Sequence, residues 1–76
     1  MAADARTWID RYAAALGVGP LSQADIDAVL DLAGSAAHAS ERMAAPLSCW
    51  LAATAGVTPA EALATARDLA ESLGPT

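Results

Sequence analysis

Seventy-six residues allow a single domain, 1–76, near the lower end of what folds unaided, since a chain of this size buries only ~60% of its unfolded surface. Four Arg, no Lys and nine acids give a net charge of −5, so the clustered cations that displace counterions from phosphates are missing. Nucleic acid is disfavoured as a partner, and an anionic membrane surface for the same reason.

Hydrophobic residues make up 55% of the chain, yet Phe is absent and the aromatics are Trp8, Tyr12 and Trp50. Most of the apolar content is Ala, which favours helix but contributes little side chain to bury. Such a core is marginal alone, and burial against a partner protein or a second copy in a homodimer is expected. Cys49, the single cysteine, can form neither an internal disulfide nor a zinc-ligand pair, so no metal site is expected and a reducing, cytoplasmic setting fits. The N-terminal Met-Ala-Ala-Asp-Ala-Arg carries charge where a signal peptide needs an apolar run. The uncharged stretch from Met43 to Ala60 is interrupted by Pro46, Gly56 and Pro59 and falls short of the ~20 strongly apolar residues of a membrane span.

Four helices are predicted in order. Trp8, Ile9, Tyr12 and Leu16 recur at helical spacing, while Arg6, Asp10 and Arg11 fall largely elsewhere, which gives an amphipathic helix over 5–16. Gly17-Val18-Gly19-Pro20 ends it. Ser22, with Asp25 three residues on, starts a second helix over 23–39, whose buried stripe is read as Ile26, Val29, Leu30, Ala33 and Ala37.

Pro46 is read as the first residue of a third helix over 46–55, because its fixed φ suits that position and its missing N–H has no partner there. Leu47, Trp50, Leu51, Thr54 and Ala55 line one face, and the rest is Ala, Ser and Cys. A helix apolar nearly all round is read as central. Thr58-Pro59-Ala60-Glu61 is the clearest local signal, with an N-cap Thr, Pro at the first helical position and Glu three residues after the cap. A fourth helix follows over 59–73, with Leu63, Ala66, Ala70 and Leu73 inward, and Gly74-Pro75 closes it. No stretch alternates with period two, so the predicted fold is all-α, a small four-helix bundle.

Three groups of residues are candidates for function. His38, in the last turn of the second helix, and Arg42 sit at the junction into the third helix, whose first N–H groups point back toward them. With Pro46, Leu47 and Ser48 they form a candidate anion- or partner-binding site, against the plainer reading in which His38 caps its helix and Arg42 pairs with Glu41 or an Asp of a neighbouring helix. Cys49 lies near the same helix start, where the dipole lowers a thiol's pKa, but no third group would orient a Cys49–His38 pair, and a small core residue is the default. Trp8, Tyr12 and Trp50 are read first as core. Exposure of any of them would mark an aromatic contact surface. No Ser follows an Asp, which removes a phosphopantetheine carrier.

The chain resembles a small bacterial helical domain of uncharacterised function that occurs alone or fused to molybdenum cofactor guanylyltransferases. The resemblance rests on Trp8-Ile9, Leu16-Gly17, Val29-Leu30-Asp31-Leu32-Ala33, Ala36-Ala37-His38, Glu41-Arg42, Ala44-Ala45-Pro46-Leu47 and Ala55-Gly56, and covers roughly residues 7 to 72, its most specific part running from Asp31 to Leu47. It implies a role beside molybdenum cofactor maturation or a molybdenum enzyme such as a formate dehydrogenase. Catalysis is not implied, since neither a Gly-rich nucleotide loop nor an acidic cluster for Mg²⁺ is present, and no cofactor is expected. The expected function is a non-catalytic adaptor that binds a protein partner. The alternative is a small domain that binds an anion or phosphorylated ligand at the His38–Arg42 junction.

Overall fold

The computed structural model describes residues 4–74 and contains four helices: α1 (Ala5–Leu16), α2 (Gln23–Ala39), α3 (Ala44–Ala55) and α4 (Pro59–Ser72). No strand occurs among the described residues. Residues 1–3 of the N-terminal segment and Pro75 lie outside them.

Local chemistry sets most of the boundaries. Asp4 caps α1, its carboxylate accepting the Thr7 N–H at 2.8 Å, and Ser22 caps α2, its hydroxyl accepting the Asp25 N–H at 3.1 Å. Only the Ser22 half of a capping box forms there. At α4 both halves form: the Glu61 N–H donates to Thr58 Oγ1 at 3.1 Å, and the Thr58 N–H donates to Glu61 Oε1 at 3.3 Å. Gly17 and Gly56 close α1 and α3 with φ of 78° and 74°, a region that a Cβ disfavours.

The start of α3 differs from the expectation. The helix begins at Ala44 with Met43 as its N-cap, so Pro46 is its third residue rather than its first. The first-turn N–H groups of a helix have no acceptor within it, so a proline is tolerated at the third position as at the first. The Ala44 and Ala45 amides donate instead to the Glu41 and Arg42 carbonyls at 2.9 and 3.1 Å, extending the helix backward through a tight turn. At the other end of the chain, α4 stops at Ser72, and Leu73 is its cap rather than a member.

The central element is α2, not α3. It packs along both α3 and α4, whereas α1 makes no comparably close approach to any of the other three. Covering two sides of α2 shifts its burial. Leu32 is the buried leucine, 4% exposed, while Leu30, assigned to the buried stripe, is 64% exposed. No residue of α3 is buried. Its all-round apolarity comes from small side chains, and its large ones, Leu47, Trp50 and Leu51, face solvent. On α4, Ala62 is buried and Leu73 exposed.

The buried side chains are Ala13, Leu32 and Ala62. The accessible surface of 5842 Å² exceeds the roughly 4300 Å² of a folded monomer of 7.6 kDa. The radius of gyration, 13.5 Å, likewise exceeds the ~11 Å of a compact chain of this length. The fold is the expected all-α small bundle of four helices, with α3 and α4 packed along α2 and α1 in looser contact.

Candidate functional site

His38 stands in the last turn of α2 as expected, and both His38 and Arg42 are exposed. Neither forms an ion pair among the described residues; the pairs present are Arg6–Asp10 at 3.5 Å and Arg67–Asp31 at 4.0 Å. Ser40 ends α2, its N–H donating to the Ala36 carbonyl at 3.0 Å. The junction is therefore short, open and formed by backbone hydrogen bonds.

Its capacity for an anion is limited by the same turn. Of the first three positions of α3, Ala44 and Ala45 already donate their N–H groups to Glu41 and Arg42, and Pro46 has none. A helix N-terminus binds an anion through unpartnered amides, which these positions do not offer. Leu47 is 54% exposed beside this junction, and Ser48 turns toward the body, half-buried.

Cys49 is half-buried in the second turn of α3, and burial pushes its thiol above the ordinary cysteine value. That is opposite in direction to the thiolate stabilisation expected of a helix start. No cluster of His, Cys, Asp or Glu that could hold a metal ion occurs among the described residues.

The aromatic residues are where the structure departs most from a packed core. Trp8 and Tyr12, one turn apart on α1, stack with ring centroids 5.8 Å apart and planes 9° from parallel. Both remain exposed, as does Trp50 at 76%. The three do not form one platform: Trp50 stacks with neither of the others among the described residues. Two apolar surfaces result. One is the Trp8–Tyr12–Leu16 stripe of α1, and the other is the outer face of α3, where Met43, Leu47 and Trp50 lie beside Arg42. Contiguous exposed side chains of this size mark surfaces that associate.

Sequence reading did not find a third feature. Both α3 and α4 rest on α2, and between them runs an apolar groove of about 300 Å³, with Leu32 in its lining. Its lining mixes Ala and Ser with Leu51, Val57 and Leu69 from separate elements, which gives no single periodic signal in the sequence. No helix of the described residues is long and apolar enough to cross a membrane.

The pattern of one protein family, described as a domain of unknown function (DUF6457), matches residues 1–76. No curated protein and no solved structure matches the chain.

Proposed function

The chain belongs to the DUF6457 family, and we propose that it is a non-catalytic adaptor that works through protein–protein contacts. Its contact face is the outer side of α3, with Leu47 and Trp50 as apolar anchors and Arg42 and His38 as the charged or donor rim. The observation that carries this reading is the exposure of Trp50, 76%, next to Leu47, 54%. Trp and Arg are the residue types enriched in binding hot spots, where an aromatic anchor buried on docking supplies affinity and a polar rim supplies orientation.

The partner proposed is a protein of the molybdenum cofactor pathway or a molybdenum enzyme such as a formate dehydrogenase. This assignment rests on the sequence resemblance centred on Asp31 to Leu47, a segment that holds His38, Arg42 and Leu47 of the proposed face.

The test is affinity capture from lysate of the native organism with wild type, Trp50→Ala and Arg42→Ala side by side. The reading expects wild type to retain a molybdenum enzyme or cofactor-assembly protein, and both variants to lose it while keeping wild-type helicity. Retention of the same partner by both variants would remove α3 as the face, and absence of any molybdenum protein would remove the pathway.

A further inference from the structure

The α3–α4 groove and the α1 stripe are each unpartnered within the chain, and they are complementary. The groove is apolar and mixed in size: Ala52 and Ala55 from α3 and Ala62 and Ala66 from α4 are its small members, and Leu51, Thr65 and Leu69 line the same walls. The stripe is large: Trp8, Tyr12 and Leu16 at four-residue intervals. At 1.5 Å per residue the stripe spans ~12 Å, and the walls from Ser48 to Ala55 and from Ala62 to Leu69 each span ~10 Å. Large apolar side chains on one helix seat against the alanine positions between the leucines of two others, as ridges fit grooves.

Charge points the same way. With Arg6, Arg11 and Asp10, α1 carries +1, whereas α4, with Glu61, Asp68, Glu71 and Arg67, carries −2. Thus α1 is the one cationic helix of an acidic chain. Arg11 makes no ion pair among the described residues.

The chain's own α1 does not occupy the groove. After α1 the backbone turns through Gly17, with the Val18 N–H donating to the Ala13 carbonyl at 3.0 Å, and Arg6 Nη2 donates across the connection to the Leu21 carbonyl at 3.2 Å. These contacts hold α1 against its own linker, and no α1 residue lines the groove.

We propose that the chain forms a twofold dimer in which α1 of each protomer lies in the α3–α4 groove of the other. Each copy supplies one helix and one groove, the self-complementary arrangement that a twofold axis requires. A helix of the second copy then covers the groove beside Leu32, which one chain already buries. The area fits. Each chain exposes about 1500 Å² beyond a folded monomer of its mass. Hiding all of it from two chains would remove about 3000 Å², the scale of an obligate homodimer, and the stripe and groove supply part of that area. The dimer uses a different face from the adaptor's contact with its partner, and needs no other protein.

The experiment is the mass of the purified chain in solution by light scattering or sedimentation equilibrium, for wild type, Tyr12→Glu and Ala66→Trp. The expected mass is twice 7.6 kDa for wild type. Each variant should weaken the dimer at least ~10-fold, one by placing charge in the stripe and the other by filling the groove. A second measurement stands if either variant loses its helicity. Tyr12→Cys and Thr65→Cys are made separately on Cys49→Ser, mixed and oxidised, and a disulfide-linked heterodimer is expected as the main product. A wild-type monomer at ~100 µM would overturn the proposal, as would a dimer indifferent to both variants. With both cysteines placed in one Cys49→Ser chain, an intrachain disulfide would also overturn it, because it would put the chain's own α1 in the groove. Failure of the lysate capture would leave this result untouched, because the dimer is measured in pure protein.

Discussion

Trp8 and Tyr12 stack face to face, 5.8 Å between centroids, while 61% of Trp8 and 53% of Tyr12 stays in contact with solvent. One helical turn separates them, so the helix itself sets the pairing and no tertiary contact is needed to hold it. A pre-stacked pair loses little rotamer freedom on docking, which suits an anchor. Both Trp residues are exposed in the single chain, so their fluorescence should report association. Emission of wild type is expected to shift to the blue as protein concentration rises, and the shift should persist in Trp50→Phe, where Trp8 alone reports. An unshifted spectrum across the concentration range in which the mass doubles would place Trp8 outside the dimer contact.

Two leucines two residues apart on α2 should behave oppositely. Leu32 is 4% exposed and touches both flanking helices' groove, so Leu32→Ala is expected to cost about 2–4 kcal/mol through lost burial and the cavity left behind. Leu30, at 64% exposed, should change stability by less than about 0.5 kcal/mol when cut to Ala. Urea unfolding of both variants at one fixed protein concentration measures the contrast, and equal losses would contradict the assignment of α2's inner face.

The capping box of α4 predicts an asymmetric pair. Thr58→Ala removes the acceptor of the Glu61 N–H and is expected to destabilise by about 1 kcal/mol. Glu61→Ala removes the longer return bond to the Thr58 N–H, 3.3 Å, and should cost less. Chemical unfolding of the two single variants and the double variant gives the coupling, which is expected to be non-zero because both bonds close the same turn.

Asp4 supplies the pH dependence. Its carboxylate accepts the Thr7 N–H, and that bond to the charged form lowers its pKa below the ordinary aspartate value. A carboxylate with a lowered folded-state pKa contributes stability that is present above the ordinary aspartate value and is lost as pH falls through the lowered one. Asp4→Ala should therefore differ from wild type in thermal stability near neutral pH and converge with it in acid, below that value. A difference that stays constant through the acid range would mean that Asp4 does not act through its charge.

Cys49 should be slow. Burial pushes its thiol up, so the thiolate that reacts with an alkylating agent is scarcer at neutral pH than in a free cysteine. Iodoacetamide labelling followed by mass spectrometry is expected to run slower than that of a free thiol at pH 7 and to accelerate when the chain is unfolded. Labelling faster than a free thiol would revive the nucleophile reading.

The helix boundaries were legible in the residues because capping is local chemistry. Ser22, Thr58 with Glu61, Gly17 and Gly56 act on backbone groups within a few residues, so their meaning does not wait for the fold. The four-residue spacing of Trp8 and Tyr12 on one helix is local in the same way, whereas the core position expected of them is not found, since both are exposed. The α3 start was misread because Pro46 is tolerated at any of the first positions, and only the Glu41 and Arg42 carbonyls decide how far back the helix reaches. Burial was the tertiary structure's decision. Leu30 and Leu32 are chemically identical, and which one is covered depends on α3 and α4 both settling on α2. The groove was invisible in the sequence because its lining comes from three helices and the turn at Val57, which only packing brings together. By itself the sequence determined four helices, three of them opened by a side-chain cap; where the uncovered surface lies was decided only when those helices packed, because burial is a relation between elements.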